Sequence, residues 1–324
     1  IVRNINLIIN EDGFKVTSIN FKRRDSEFSI IDDRSINILR ARNIDTDQLN
    51  TIYSKKLNIG YNLASRFQLF SASKSLKYQV YGSLNASYRL REDLFIFTSI
   101  AYDLKNNFFV NQVIDSALPP VRTEIDKYLT QGRSGIDSLF LEKRSNFNSN
   151  TYYRVYAGIL EQMFSGVGVE ILYNQFRKRW ALGATVNHVR KRNYNRSFEL
   201  LDYTTTTSYL SLYYASPFYN YDFALHLGRY LAKDTGATIE VRRTFDNGFS
   251  IGIFASSTNV SKEDFGEGSF DKGINFSVPM DFFTKNNNKY KFTNTLRSVQ
   301  RDGGQRMDGF SGTLWFDLRD VRYD

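Results

Sequence analysis

A chain of 324 residues with 43 Lys and Arg against 34 Asp and Glu carries a net charge of +9, no cysteine and two histidines, His188 and His226. The missing cysteines exclude a disulfide frame, a thiolate zinc site and a cysteine nucleophile, and two histidines argue against a histidine-built metal centre. The basic residues are scattered through alternating segments, with no nucleic-acid motif beside them; that distribution suits acidic polysaccharide or the phosphates of lipopolysaccharide better than nucleic acid.

No stretch approaches the roughly 20 apolar residues of a membrane-spanning helix. A mean hydropathy of -0.42 still admits a β-barrel, in which only alternate residues face lipid. The 27 Phe and 21 Tyr would supply aromatic girdles at the two membrane interfaces, although a large soluble sandwich would also use them. The chain opens at Ile1 without Met or a signal peptide, as a processed product or a fragment would.

Residues 1–50 read as part of a small periplasmic α+β segment. Ile5–Ile9 is a short apolar run, Glu11-Asp12-Gly13 a turn signal, Val16–Phe21 a second strand, and Ser35–Leu49 a candidate helix. From Tyr53 the period becomes two, and residues 51–324 are expected to form a transmembrane β-barrel. The clearest strand is Leu76–Leu90, with Leu76, Tyr78, Val80 and Leu84 on one face and Lys77, Gln79, Asn85 and Arg89 on the other. Pro119-Pro120 marks a loop. In Tyr152–Phe164, Glu161 shares the phase of Ile159, so its carboxylate should turn inward or lie outside the hydrocarbon zone. Gly166-Val167-Gly168 lacks the further glycine of a phosphate loop and reads as a turn between antiparallel strands.

Further on, Phe223, Leu225 and Leu227 alternate with Ala224, His226 and Gly228, and Ala237, Ile239 and Val241 with Thr238, Glu240 and Arg242. Asp246-Asn247-Gly248 supplies a hairpin. The fold class expected is all-β: an antiparallel outer-membrane barrel of about a dozen strands.

Chemistry-bearing clusters are sparse. Glu263, Asp264, Glu267 and Asp271 sit in a Gly-rich connector that reads as a structural loop, or as a calcium or sugar contact, since nothing there places two carboxylates across a glycosidic bond. Arg301-Asp302-Gly303-Gly304-Gln305-Arg306 suits either a polar hairpin or an anion contact. There is no Gly-x-Ser-x-Gly elbow and no His-Glu-x-x-His helix. No catalytic residue, metal or cofactor is expected, and the chain reads as a non-enzyme.

Five ordered segments carry a family resemblance: Leu118–Tyr128 (LPPVRTEIDKY), Ala157–Tyr173 (AGILEQMFSGVGVEILY), Gly228–Thr238 (GRYLAKDTGAT), Phe265–Gly273 (FGEGSFDKG) and Arg301–Gln305 (RDGGQ). Together they resemble the carboxy-terminal half of the YjbH/GfcD family of outer-membrane exopolysaccharide (group 4 capsule-type) export proteins. Ser165 and Val169 depart from it, standing where smaller residues are expected. The resemblance implies a protein of the Gram-negative outer membrane, in contact with its lipid and lipopolysaccharide, acting on polysaccharide beside periplasmic proteins of the same secretion system. It transfers no catalytic residue. Lys77, Gln79, Asn85, Arg89, His226, Glu240 and Arg242 are then candidates for the lumen or for polysaccharide contact, with Tyr81 and Tyr230 as rings on which sugars could stack. Glu161, Glu267, Asp271, Asp302 and Gln305 lie in motif loops to which no role attaches. A general porin and a soluble carbohydrate-binding sandwich are the alternatives.

Overall fold

The structure, a computed structural model, describes residues 4–11, 14–22, 56–71, 74–110, 117–175, 178–245, 247–265, 270–279, 291–297 and 301–323. The candidate helix at 35–49 and Glu267 lie outside the described residues.

β1 (Asn4–Glu11) and β2 (Phe14–Lys22) form a separate antiparallel hairpin. A second sheet of thirteen strands follows, and each pairs antiparallel with its neighbours in sequence. These are β3 (Leu57–Ser71), β4 (Lys74–Arg91), β5 (Leu94–Asn106), β6 (Gly135–Asn148), β7 (Thr151–Ile159), β8 (Phe164–Tyr173), β9 (Trp180–Arg192), β10 (Leu200–Ala215), β11 (Tyr221–Arg229), β12 (Thr235–Thr244), β13 (Ser250–Thr258), β14 (Asp271–Pro279) and β15 (Lys291–Arg297). Among the described residues, helices α1 (Ile125–Gln131) and α2 (Lys262–Phe265) interrupt the series and α3 (Leu314–Tyr323) follows it. The up-and-down order is the one that period-two sequence and tight turns dictate. Edge strands β3 and β15 come within 8 Å of each other at Cα, but among the described residues no hydrogen-bonded ladder joins them, so the sheet is open there.

The two faces of this sheet are inverted relative to a water-soluble protein. Leu182 and Val186 of β9, Leu210 and Leu212 of β10, Phe223 and Leu227 of β11, Ile239 of β12 and Ile251 and Ile253 of β13 are exposed, Leu210 to 67% and Ile239 to 58%. Their neighbours along the same strands are buried and mostly polar: Thr185 and Asn187, Thr207 and Ser211, His226, Thr238 and Glu240, Ser256. Alternation alone cannot say which face is covered; here the polar one is.

The inner face is covered by the chain itself. At one end of the sheet the strands are joined by short turns, such as Glu92-Asp93 and Ser149-Asn150; at the other lies the long β5–β6 connection, described at residues 107–110 and 117–134, which carries α1. That connection and residues 301–318, which follow β15, pack against the inner face. Val121, Tyr128, Leu160, Phe164, Leu231, Met307 and Phe310 form one buried cluster near the long-connection end. Phe14 of β2, Tyr152, Leu172, Tyr213, Leu314, Trp315 and Leu318 form another near the short-turn end. Residues 301–318 therefore run along the inner face from one end of the sheet to the other.

Gly166-Val167-Gly168 is not a turn but lies inside β8; the turn between β7 and β8 is Leu160–Met163. The glycines answer to crowding. A Cβ on Gly168 would come within 2.2 Å of Asn187 Oδ1 and 2.5 Å of the Tyr156 ring, and one on Gly166 within 2.2 Å of the His188 carbonyl. By contrast, the Asn247-Gly248 turn between β12 and β13 forms as expected, with Asp246 outside the described residues: Gly248 has φ 78° and donates to Phe245 O at 2.8 Å.

Candidate functional site: the buried polar face and its plug

The five segments that carried the resemblance lie far apart in sequence, and described residues of each meet at the long-connection end of the inner face. Asp302 is the pivot. Its Oδ1 accepts the backbone N–H groups of Val121 (2.8 Å), Arg122 (2.7 Å) and Thr123 (3.0 Å), and its Oδ2 the Thr123 hydroxyl (2.7 Å). Three successive donors aimed at one carboxylate make an anion nest whose anion is supplied by the chain itself. Burial raises the Asp302 carboxyl, and the hydrogen bonds from this nest oppose the rise. Arg301–Arg306 is not an open hairpin but an inner segment: its own carboxylate occupies the nest, and the anion that its Arg306 contacts is the chain's own Glu240, at 3.3 Å.

Glu161 lies in the β7–β8 turn with its carboxylate turned inward, one of the two positions its phase allowed. Arg122 grips it through two hydrogen bonds, Nη1 to Oε1 at 2.5 Å and Nη2 to Oε2 at 3.0 Å, and Asp308 N donates to Oε2 at 2.9 Å. Nearby, Gly304 N donates to Asp234 Oδ2 at 2.7 Å and Leu231 N to Gln305 O at 3.0 Å. Asp271 pairs with Arg297 at 3.3 Å. Its Cβ would lie 3.4 Å from a Cβ on Gly304, and Phe265 packs against Gly303.

Farther along the inner face, Arg154 of β7 donates to Glu170 of β8 (Nη2 to Oε2, 2.6 Å) and also to Gly309 O at 2.9 Å and Thr313 Oγ1 at 2.6 Å. Glu170 Oε1 accepts Leu314 N at 2.9 Å. This ion pair escaped the sequence reading because its members, 16 residues apart, become cross-strand neighbours only in the β7–β8 register. Arg122, Glu124 and Asp126 were likewise missed as site residues, although they stand in the quoted Leu118–Tyr128 motif.

The lumen candidates share this face. Lys77 Nζ donates to Asp126 of α1 at 2.6 Å, and Gln79 bonds Arg66 and Asp103, both at 2.7 Å. His226 Nδ1 lies 2.7 Å from Ser211 Oγ, and Gly312 sits against the His226 ring. Glu240 takes Arg242 at 2.9 Å and Arg306 at 3.3 Å. Asn85 and Arg89 are half-buried, with Asn85 donating to Ser83 at 3.0 Å. Tyr230 offers no ring face to a sugar: it is fully buried, edge-on to Tyr209, with its hydroxyl 2.6 Å from Thr238 Oγ1. One face of Tyr81 is taken by the Arg66 guanidinium, 3.9 Å away.

Among the described residues no group of three or more His, Asp or Glu side chains is arranged to hold a metal ion. Charge-assisted bonds between chain segments are what the site provides.

Comparison with known proteins gives two findings. The YjbH family model, whose description is "Exopolysaccharide biosynthesis protein YbjH", matches residues 2–315. The protein named "Uncharacterized lipoprotein YjbH" of Escherichia coli (strain K12) is 34% identical over 227 residues, which cover 67% of this chain and 32% of that protein. The chain thus matches about a third of the length of that relative.

Proposed function

The chain belongs to the YjbH exopolysaccharide biosynthesis family, and from that premise we propose that it forms an outer-membrane β-barrel serving secretion or assembly of an exopolysaccharide. The observation that carries the membrane part is the inversion of the sheet: Leu, Ile, Val and aromatic side chains exposed on consecutive strands, charged and hydroxylated ones buried behind them. Water would penalise such an outer face, whereas lipid requires it. Strands of nine or ten residues, as in β7, β8, β11 and β12, have the length that crosses a bilayer when tilted.

The short-turn end adds aromatic pairs at four successive hairpins: Phe147 with Tyr153 (4.3 Å), Tyr173 with Trp180 (5.9 Å), Tyr214 with Phe223 (6.5 Å) and Phe245 with Phe249 (5.6 Å). Rings gathered at one level are what a membrane interface favours. Closure of the barrel would come from β3 meeting β15, whose proximity supports it. A lipoprotein among the relatives is consistent with the cell envelope. Under this reading the outer face meets lipid and lipopolysaccharide, the export partners are periplasmic proteins of the same system, and the chain is not an enzyme.

The test is a strain lacking the gene, complemented with the full-length protein or with none, in which surface and released exopolysaccharide are measured and the protein is followed through membrane fractionation. Loss of polymer restored by protein found in the outer membrane is the expected outcome. Unchanged polymer would overturn the export role, and protein in the aqueous fraction would overturn the barrel.

A further inference from the structure

We infer that the polar inner face exists to seat a fixed plug, so that the export system uses this chain as a scaffold and not as the conduit through which polymer passes. This goes one step past the barrel reading and rests on it. A conduit for a hydrated polymer presents its polar side chains to water. Here four charged groups of the strands and their turns are spent on the backbone of residues 304–314: Glu170 on Leu314 N, Arg154 on Gly309 O, Glu161 on Asp308 N, Asp234 on Gly304 N.

Each of those bonds matches a wall charge to an inner-segment peptide group, a geometry that a mobile constriction would have to abandon all at once. Seating is also apolar. Trp315 stacks on Tyr213 at 5.5 Å, and Phe310 lies 4.5 Å from Tyr156 and 5.1 Å from Phe140. The plug is anchored by both kinds of contact from the long-connection end, at Asp302, to the short-turn end, at Leu314. The segments through which the chain resembles its family supply that first anchor, which gives those otherwise roleless loops a function in seating the plug.

These 324 residues contain no cysteine, so an introduced pair meets no competing thiol within them. A Gly304→Cys, Asp271→Cys pair brings two Cβ positions 3.4 Å apart, close to the separation that a disulfide spans, and would tie the inner segment to β14; Gly304→Cys is itself strained, with φ 71° and Ser256 Cβ 2.9 Å from the new Cβ, so the Gly304→Cys single variant sets the baseline. Each single variant is the control for folding and for loss of the Asp271–Arg297 pair. With the disulfide formed, secretion equal to that of the reduced protein and of the single variants is expected. Secretion lost on oxidation and recovered with reductant would overturn the inference, because the plug would then have to move.

Wild-type protein reconstituted in vesicles gives a second reading that needs no variant. Vesicles impermeable to small sugars are expected; steady sugar flux would overturn the plug. If the strain without protein secretes as much as the complemented one, the export role fails, while the flux measurement still decides whether the interior is sealed.

Discussion

At the scale of single residues, the account depends on charges that are buried and matched. Removing one member of a buried ion pair leaves the other uncompensated, at a cost of about 3–5 kcal/mol. Arg154→Met should therefore lower the unfolding free energy by about that much, whereas the double variant Arg154→Met, Glu170→Met should recover part of it. Urea unfolding of the reconstituted protein measures both. A single variant as stable as the wild type would mean that Arg154 does not hold the inner segment.

Glu124 yields a pH prediction at the same scale. Burial alone would raise its carboxyl, but hydrogen bonds from Lys127 and Lys191, with Tyr194, outweigh burial and hold it below its ordinary value of 4.5. A carboxyl depressed in the folded state contributes stability that is full above the unfolded value and is lost as pH falls through the folded one. Glu124's share of the protease protection of residues 117–132 should accordingly be constant above about pH 4.5 and be lost below it, read as the difference between the wild type and Glu124→Gln, since Asp126 and Asp302 are raised by burial and act in the opposite sense. Glu124→Gln should remove that component of the acid response.

At the scale of elements, the strands separate two physical settings sharply. Ile239 sits in the middle of β12, opposite Leu225 and Ala255. Ile239→Arg on a lipid-facing strand should cost about 2–4 kcal/mol near the bilayer midplane. The same change on a water-facing sheet should fall within about 0.5 kcal/mol. Folding yield into lipid vesicles separates the two.

The strands were the legible part of the sequence. Lys77 and Gln79 alternate with Leu76 and Tyr78 in β4 as written, and Glu161 betrayed its inward turn by being a charge in an apolar phase. Gly166 and Gly168 misled because a glycine pair signals a turn locally, while the crowding that demands it here comes from Tyr156, Asn187 and His188 on neighbouring strands. Asp302 was legible as a motif residue but not as a cap for residues 121–123, since no local period links groups 180 positions apart.

For the whole molecule, the claim is that the sheet's apolar side lies in lipid while its polar side is filled from within. The two tryptophans report on the two sides separately. Trp180 stands partly exposed at the start of β9 beside Tyr173, and Trp315 is buried in the inner segment against Tyr213. Each can be read alone in a Trp315→Phe or Trp180→Phe protein. The most direct measurement is tryptophan fluorescence in vesicles whose lipids carry bromine near the interface, compared with unbrominated ones. The account predicts strong quenching of Trp180 and none of Trp315. Trp180 unquenched, in protein shown to be folded, would place the outer face in water and contradict the barrel.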